Sequence, residues 1–292
     1  MGHTHHREEV RSIQFAFFLN LGFTLIEVVG GLWTNSLAIL TDALHDLGDS
    51  FALGAAWLLD RHAQKSGDAS YSYGYRRYSL VGALTSTIVL MLGSAFVLSE
   101  AVPRLLSPEH SNAQGMLLFA LAGIAVNGFA ALRLRGGKSL NARVISWHLL
   151  EDVLGWGAVL LVSIVLLFTD IHILDPILAI LIAGYILYNV FGNLRKTVRV
   201  FLQAVPHDVD LSKIERQVNA LEGVRSTHHV HAWSLDGEHN VLTMHVIVEK
   251  TTNIDEFIAI KCEINDLIAS QDFVHSTIEI ELEGEDCRMK AD

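Results

Sequence analysis

The amino-acid sequence predicts an α-helical membrane protein with six transmembrane helices and a C-terminal cytoplasmic α+β domain. Of the 292 residues, 51% are hydrophobic and 18% are charged, and the mean hydropathy is +0.36. Soluble globular domains average about 25% charged residues, and this chain also has uncharged runs of about 20 residues, the length that spans a bilayer. These observations exclude a disordered chain and a purely soluble fold, and the net charge of −11 argues against a nucleic-acid partner.

Six apolar stretches are each long enough to cross a hydrocarbon core of about 30 Å at about 1.5 Å per residue. They cover residues 12–33, 36–59, 78–99, 113–132, 144–168 and 171–194. The third and fourth stretches hold no charged side chain, whereas the first contains Glu27 and the second and fifth contain several ionisable residues. The N-terminal letters MGHTHHREEV include neither an apolar segment nor a cleavage site, so we expect no signal peptide and a retained first span.

The basic residues that flank the spans predict the orientation of the chain. Thirteen Lys and Arg residues would lie on the side that holds both termini, and the opposite side would hold Arg104 alone. Because cytoplasmic loops of membrane proteins are enriched in Lys and Arg, both termini are predicted to be cytoplasmic. The short loops favour the inner (plasma) membrane of a bacterium, where lipid surrounds the spans.

The composition changes after residue 205. Residues 1–205 hold 14 basic and 14 acidic side chains, so the whole net charge of −11 belongs to the residues that follow. There the sequence predicts a helix over 211–221, strands over 224–235 and 239–248, a helix over 255–269 and a strand over 274–282. The order αββαβ predicts a two-layer domain with both helices on one face of a sheet.

These features divide the chain into four parts. A His-containing cytoplasmic tail covers residues 1–11, the membrane domain covers 12–205, the cytoplasmic domain covers 206–285 and a C-terminal tail covers 286–292. At about 80 residues the cytoplasmic domain is small enough to need a metal ion or a second copy for stability. The two cysteines, Cys262 and Cys287, form neither a C-x-x-C pair nor a disulfide framework, which fits a reducing compartment. In the N-terminal tail, His3, His5 and His6 either collect metal loosely or are simply solvated.

Two pairs of ionisable residues lie within otherwise apolar spans. His45 and Asp49 are four residues apart in the second span, and His148 and Asp152 repeat this spacing in the fifth. Residues four apart share one face of a helix, about one turn along it. Because an ionisable group at bilayer depth costs at least about 2.5 kcal/mol, the repeated pair predicts a functional site.

The chemistry of these side chains favours a metal ion. Tetrahedral zinc accepts two imidazoles and two carboxylates, and the carboxylates also neutralise the double charge of the ion. Magnesium and calcium prefer six or more oxygen ligands, and copper(I) prefers Cys or Met, which neither pair supplies. The sequence therefore predicts a divalent-metal site, with zinc first and cadmium or cobalt as alternatives, made by four residues: His45, Asp49, His148 and Asp152.

A structural role is the alternative interpretation of these side chains. A single intramembrane His or Asp often forms a hydrogen bond between helices. Two carboxylates buried without a cation would be hard to offset, so the repeated pair favours metal binding. Asp42 shares the face of His45 and is expected beside a ligand or at the portal of the site. Asp46 and Glu151 are turned away from the ligands and are expected to be structural or to face the portal.

Five stretches of the sequence resemble a known family. They are NSLAILTDALHDLGDSFALG, WHLLEDVLGWGAV, SYGYRRYSL, HAWSLDG and HSTIEIELE. Together they are similar to the cation diffusion facilitators, zinc-transporting membrane proteins of bacteria and eukaryotes, and the resemblance covers nearly the whole chain. It implies a homodimer that exports zinc from the cytoplasm by alternating access in exchange for protons, with a ferredoxin-like, metallochaperone-type cytoplasmic domain. It also implies a transport site on the same four residues of the two spans.

The resemblance has two finer consequences. A His at the first position of the site, here His45, is similar to the zinc and cadmium branch of the family, whereas manganese-selective members tend to carry Asp there. Some relatives bind a second metal ion through His side chains in the loop after the second span, but Tyr71 and Tyr75 occupy the comparable positions here. We therefore assign no metal to this loop.

Protons and metal compete for the nitrogens of His45 and His148, because an imidazole must be neutral to bind a metal ion. This competition predicts zinc loading in the cytoplasm and release to a more acidic exterior, without covalent chemistry and so without enzyme activity. An intramembrane zinc enzyme is one alternative, but the sequence has no H-E-x-x-H motif and four protein ligands leave no position for a substrate water. A metal sensor without translocation is the other, although a sensor does not need four ligands within the bilayer.

Alternation along the predicted strands separates an apolar sheet face from a polar one. The apolar face is predicted to bury Leu242, Met244, Val246, Val248, Val274, Ile278, Ile280 and Leu282. On the polar face, His231, His245 and Glu281 are predicted to bind a regulatory zinc ion, and the family resemblance implies cytoplasmic zinc sites at comparable strand positions. Five further side chains are open as additional ligands: His228, His229, His239, His275 and Glu279. A solvated sheet face is the alternative interpretation.

Overall fold

The computed structural model describes residues 2–63, 65–134, 140–250, 253–271, 273–285 and 287. The chain divides into two compact units. The helical unit comprises Met1–Arg61 and Val81–Leu194, and the C-terminal unit comprises His62–Leu80 and Arg195–Asp292. The predicted tail 286–292 lies outside the described residues apart from Cys287, and the side chains of His3, His5 and His6 lie outside them as well.

Long helices carry the apolar stretches that the sequence predicts as spans. Within the described residues they are α1 Gly2–Thr34, α2 Leu37–Ala63, α3 Tyr78–Leu106, α4 Ala113–Leu134, α5 Leu140–Phe168 and α6 Leu174–Phe201. The backbone of α1 begins at Gly2 and not at residue 12, because the polar segment before the span contains no proline that would end the helix. Four of the predicted spans lie inside the observed helices, whereas the second and sixth begin one and three residues before α2 and α6.

Among the described residues, five helices are long and apolar enough to cross a membrane, namely α1, α3, α4, α5 and α6. The remaining long helix, α2, has sufficient length at 27 residues, but Asp42, Asp46 and Asp49 make it too charged to be identified by composition. Large apolar side chains cover the outside of the helical unit. Leu154 is 72% exposed and Leu161 is 67% exposed. Such exposure is unfavourable in water and is normal towards lipid.

A buried carboxylate from α6 holds the beginning of α2. Asp175 is fully buried. Its oxygens accept hydrogen bonds from the hydroxyl of Ser36 at 2.5 Å and from the backbone N–H of Leu37 at 2.7 Å. The N–H of Ala38 adds a longer bond of 3.3 Å. The first N–H groups of a helix have no partner within the helix, and a negative charge is favoured at this end, so Asp175 fixes the start of the helix that carries the first predicted ligand pair.

Small residues let α5 approach its neighbours. A Cβ on Gly123 of α4 would occupy the space of the Trp156 ring, which is buried. One residue before Trp156, a Cβ on Gly155 would lie 3.7 Å from an oxygen of Asp42 on α2. α5 therefore passes close to α2 just after the second predicted ligand pair, which brings the two pairs alongside each other.

The C-terminal unit has the predicted αββαβ order. Within the described residues its elements are α7 Leu211–Asn219, β1 Val224–Ser234, β2 Asn240–Val248, α8 Ile254–Ala269 and β3 Phe273–Leu282. The sheet has the order β1-β2-β3, in which β1 and β2 are antiparallel and β2 and β3 are parallel. Side chains cap the N-termini of both helices. Asp210 caps α7, and Asn253 and Glu256 form a capping box at the start of α8.

One face of this sheet packs against the two helices and forms the core of the unit. The central strand β2 contributes the residues predicted to be buried: Leu242, Met244, Val246 and Val248. Ile214 of α7 and Ile264 of α8 cover them, and Ile278 and Ile280 of β3 pack against the same core. The predicted alternation is therefore confirmed for β2 and for the middle of β3.

The prediction that Val274 and Leu282 are buried is wrong, because both side chains are exposed. Phe273 and His275 pair with consecutive residues of β2, so β3 carries one extra residue at Val274. Such a bulge interrupts the alternation of faces, and Phe273 packs against the core instead. Leu282 ends β3, which is an edge strand of the sheet.

We predict that Asp175→Asn destabilises the helical unit, because an amide offers one acceptor oxygen instead of two and carries no charge. Losing a charge-assisted hydrogen bond of this kind costs about 2 kcal/mol and lowers the unfolding temperature by several degrees. Thermal unfolding of the purified protein in detergent measures the effect. Asp170→Asn is the matched control, since Asp170 is exposed in the loop before α6. An Asp175→Asn protein as stable as this control would contradict the role assigned to Asp175.

Candidate functional site

α2 and α5 bring the two predicted ligand pairs together in the helical unit. The ligand atoms of His45, Asp49 and His148 lie within 4.8 Å of one another. Nε2 of His148 is 2.8 Å from Oδ2 of Asp49, and Nε2 of His45 is 3.6 Å from the same oxygen. In tetrahedral zinc sites the ligand atoms are about 2.0 to 2.2 Å from the ion and so roughly 3.3 Å from one another. The observed spacing therefore fits one ion.

Asp152, the fourth predicted ligand, lies at the edge of this group. Its Oδ2 is 3.9 Å from Nε2 of His148, and its side chain is buried. The side chains of the other three residues are only partly buried. The structure thus brings three of the four predicted residues into one group and leaves Asp152 beside it, next to His148.

Further carboxylates are buried on α2 and on its neighbour α1. Asp42 and Asp46 of α2 are buried, and Glu27 of α1 is fully buried. Asn20 of α1 donates hydrogen bonds to the backbone oxygen of Asp46 at 2.9 Å and to the hydroxyl of Ser50 at 3.1 Å, which ties α1 to this part of α2. Because a buried carboxylate is costly unless it is paired, this region of the helical unit favours cations.

Glu151 lies apart from the predicted ligands on the outer side of α5. It is exposed, and its carboxylate accepts a hydrogen bond from the hydroxyl of Tyr185 on α6. This contact is consistent with the structural role expected for Glu151, since it joins two helices at their surface.

The loop between α2 and α3 is organised around one carboxylate. Asp68 accepts hydrogen bonds from the hydroxyl of Tyr75 at 2.6 Å and from the backbone N–H groups of Ser70 and Tyr71 at 2.7 and 2.9 Å. The bond from Tyr75 and the two backbone bonds lower the pKa of Asp68, and the same bond to Asp68 raises the pKa of Tyr75 to about 12. Tyr71 and Tyr75, in the loop to which the sequence assigns no metal, therefore take part in a hydrogen-bonded turn.

A second group of candidate ligands lies on the polar face of the sheet. We define the C-terminal cluster as His228, His245, Glu281 and Cys287, whose ligand atoms lie within 4.8 Å of one another. Nδ1 of His245 is 2.6 Å from Oε1 of Glu281, and Nε2 of His228 is 3.3 Å from Oε2 of the same carboxylate. His245 and Glu281 are 6% and 5% exposed. Imidazole, carboxylate and thiolate groups at this spacing are the ligands that zinc prefers.

A bulge in β1 positions His228. His228 pairs with His245 across the two strands, and three residues further along β1, His231 pairs with Thr243, two residues from His245. Between them, His229 has a φ of +46°, a left-handed conformation that costs roughly 1–2 kcal/mol for a residue other than glycine. Simple alternation would place His228 and His231 on opposite faces, but the extra residue turns both towards the polar face.

His231 is the predicted ligand that the structure leaves outside the C-terminal cluster. Its side chain is exposed, and its ring centroid lies 6.3 Å from that of His229. The structure brings the other two predicted residues, His245 and Glu281, together and adds His228, which the sequence left open. Strand alternation favoured His231 over His228 because the bulge between them leaves no mark in the pattern of residues.

Three of the residues that the sequence left as possible additional ligands, Glu279, His239 and His275, lie outside the C-terminal cluster. Nε2 of His245 is 3.4 Å from Oε2 of Glu279, which is an exposed side chain at the margin of the cluster. His239 interacts with Asp236 at 2.6 Å within the turn that joins β1 and β2. The ring of His275 packs edge-on against a tyrosine ring of the loop between α2 and α3, with 5.4 Å between the centroids.

Opposing effects act on the carboxylate of Glu281. Burial raises its pKa, but the hydrogen bond to His245 and the attraction to His228 lower it, and the net pKa lies below the usual value for Glu. Glu281 is therefore ionised at neutral pH, which is the form that binds a metal ion.

Two residues of these arrangements were missed by sequence reasoning. Asp175 had a signal, since it is an isolated carboxylate in an apolar stretch directly before a proline. Cys287 had none, because it follows the last strand within a short segment whose path depends on the turn after β3. The role of Asp175 depends on contacts with residues at the start of α2, far away in the sequence. The role of Cys287 depends on its contact with His245 of β2.

Comparisons with known families cover both units. The family model described as the cation efflux transmembrane domain matches residues 13–202. The model described as the cytoplasmic domain of cation efflux proteins matches residues 206–283. Together the two matched ranges contain every element of the fold from α1 to β3, apart from the first residues of α1.

Several bacterial proteins are similar along almost the whole chain. The metal cation efflux system protein CzcD of Cupriavidus metallidurans is 32% identical over 283 residues, which cover 96% of this chain and 89% of that protein. The zinc transporter ZitB of Escherichia coli is 31% identical over 287 residues, 96% of this chain and 90% of its own length. The cadmium, cobalt and zinc/H(+)-K(+) antiporter of Bacillus subtilis is 29% identical over 289 residues, 97% and 93% of the two chains.

These matches confirm the predicted fold class, a helical transmembrane domain followed by a C-terminal cytoplasmic domain with a small mixed sheet. They confirm that the chain is an integral membrane protein, and the names of the relatives are those of transporters and not of enzymes. The resemblance to the cation diffusion facilitators is confirmed as well, and the chain belongs to the cation efflux family of membrane transporters.

Proposed function

We propose that this protein exports a divalent metal cation through a site formed by four residues: His45, Asp49, His148 and Asp152. The observation that carries the proposal is the convergence of the first three within 4.8 Å between α2 and α5. Each pair of ligands comes from a different helix, so a relative movement of the two helices changes the geometry of the site. Such a movement is what alternating access requires.

The donor atoms support zinc as the first substrate, with cadmium or cobalt as alternatives. Two imidazole nitrogens and two carboxylates suit a four-coordinate ion of this group, whereas magnesium and calcium require more oxygen ligands. The relatives support the same choice, since one is named a zinc transporter and another a cadmium, cobalt and zinc antiporter.

Exchange with protons follows from the same ligands. An imidazole nitrogen carries either a metal ion or a proton, so neutral His45 and His148 bind zinc from the cytoplasm and protonation at a more acidic exterior displaces it. The proton gradient then drives export, and no covalent intermediate is needed. The name of the Bacillus subtilis relative includes H(+) antiport.

The orientation and location of the chain belong to the same proposal. Residues 12–205 form the transport domain, with both termini in the cytoplasm, in the inner membrane of a bacterium. The asymmetry of thirteen basic residues against one supports this orientation, and the bacterial source of the relatives supports the location.

We propose that residues 206–285 form a cytoplasmic domain that joins two copies of the chain. The domain is small for an independent fold, and apolar side chains at the start of α8 and on β3 are exposed. Ile254, Ile258 and Val274 are among them. A second copy that covers these side chains would stabilise both protomers by removing apolar surface from water.

Within this domain, His228, His245 and Glu281 are proposed to hold a regulatory zinc ion. Nδ1 of His228 is buried and has no hydrogen-bond partner among the described residues, which is costly unless another group satisfies it. The ionised Glu281 and two imidazoles fit zinc by donor type and by spacing. A bound ion would link residues of all three strands, since His228, His245 and Glu281 lie on β1, β2 and β3. The fraction of sites that hold the ion would follow the metal concentration in the cytoplasm.

We predict that Asp49→Ala and Asp152→Ala each reduce zinc flux by at least about 100-fold, because metal sites lose up to about 100-fold in affinity even when only a supporting residue is changed. Purified variants in liposomes that contain a zinc-sensitive dye report the flux. Asp170→Ala is the matched control, since this Asp lies in a loop outside the group. The elution volume of the dimer should be unchanged, and control-like flux in either ligand variant would contradict the proposal.

We predict that zinc uptake into everted membrane vesicles depends on an acidic lumen. Each exchanged proton contributes about 1.4 kcal/mol per pH unit to the transport of zinc. Neutralising the lumen with ammonium chloride should therefore reduce uptake to the level of Asp49→Ala vesicles. Uptake that is indifferent to the pH gradient would refute proton coupling and would leave metal export itself intact.

A further inference from the structure

A tight turn follows β3 at residues 283–285. β3 ends at Leu282, whose carbonyl accepts a hydrogen bond of 2.9 Å from the N–H of Glu285. Gly284 within this turn has a φ of +85°, a conformation that glycine adopts without strain. The carboxylate of Glu285 in turn accepts the N–H of Leu282 at 3.0 Å. Two residues beyond Glu285, the side chain of Cys287 lies at the polar face of the sheet.

The sulfur of Cys287 lies among the other donors of the C-terminal cluster. Its Sγ is 3.9 Å from Nδ1 of His245 and within 4.8 Å of the ligand atoms of His228 and Glu281. Two imidazoles, one carboxylate and one thiolate make four ligands, the number that structural zinc sites have. Without the sulfur, the cluster offers three.

We propose that Cys287 is the fourth ligand of the C-terminal cluster, so that a thiophilic divalent cation such as zinc or cadmium fastens the segment after β3 to the sheet. This inference rests on the proposed binding of zinc by His228, His245 and Glu281. It adds to that site a preference for thiophilic ions and a metal-dependent attachment of Cys287 to the sheet. Thiolates favour soft ions over magnesium and manganese, which prefer oxygen ligands. On binding, the thiol releases its proton to solvent as the sulfur–metal bond forms.

The chain offers a direct test because it contains only two cysteines. In the full-length Cys262→Ser protein, Cys287 is the single thiol, and its rate of labelling by a maleimide reagent reports whether the sulfur is free. At a free zinc concentration about ten times Kd, about one site in ten lacks the ion, so labelling should slow about tenfold. Cadmium should act likewise, and magnesium or manganese should leave the rate unchanged.

Cys262 provides the matched control for this experiment. It is exposed on α8, so in the Cys287→Ser protein the labelling of Cys262 should be indifferent to zinc. His245→Ala in the Cys262→Ser background should abolish the protection of Cys287. As a second readout, cobalt should give a near-ultraviolet sulfur-to-metal charge-transfer band in the Cys262→Ser protein that is absent from the Cys287→Ser protein.

The outcomes separate this inference from the functions on which it rests. Labelling of Cys287 that zinc leaves unchanged, in a protein that still binds zinc through His245 in equilibrium dialysis, would overturn the sulfur ligand and retain the regulatory site. Protection that persists in His245→Ala would also overturn it, because Cys287 would then bind zinc elsewhere. The Asp49→Ala protein should keep full protection, since its transport site is separate from the cluster.

Discussion

A carboxylate that is buried without a cation has a high free energy, and this constraint explains much of the helical unit. Asp42, Asp46 and Asp152 are buried in a fold whose outer surface is apolar. The imidazoles of His45 and His148 lie near these charges, and the divalent ion that we propose for the site would lower their free energy further. Asp175 meets the same constraint differently, since the N–H groups at the start of α2 take the place of a cation. Of the three carboxylates that make α2 a poor membrane span by composition, Asp49 is a proposed metal ligand, and Asp42 and Asp46 are buried beside the proposed site.

The two candidate metal centres build similar donor sets from different secondary structures. On α2 and α5, a spacing of four residues places His and Asp on one helical face, and close packing at Gly155 brings the helices together. In the C-terminal unit, His228 and His245 face each other across antiparallel strands, and Glu281 comes from the parallel neighbour. The first centre takes its ligands from two separate helices, an arrangement that suits the proposed transport because a relative movement of the helices would change the geometry of the site. The second lies on one sheet, which suits a stable, regulatory ion.

The spacing of apolar residues in the sequence predicts most of this architecture, because buried residues recur about every 3.6 residues in a helix and every second residue in a strand. The helices, the αββαβ order and the pairing of His45 with Asp49 all follow from spacing. The features that spacing does not predict arise from single-residue irregularities. The bulge at His229 turns His228 to the polar face, and the bulge at Val274 exposes that side chain. Likewise, the place of Cys287 depends on one turn, and the role of Asp175 on a contact between distant helices.

The central claim is that α2 and α5 jointly bind one divalent ion. Anomalous scattering at the zinc absorption edge, measured on crystals of the full chain grown with zinc, tests it most directly. The account predicts a peak between the two helices, about 2.0 to 2.2 Å from ligand atoms of His45, Asp49, His148 and Asp152. A zinc-transporting preparation whose crystals show no peak there, or a peak held by other side chains, would contradict it.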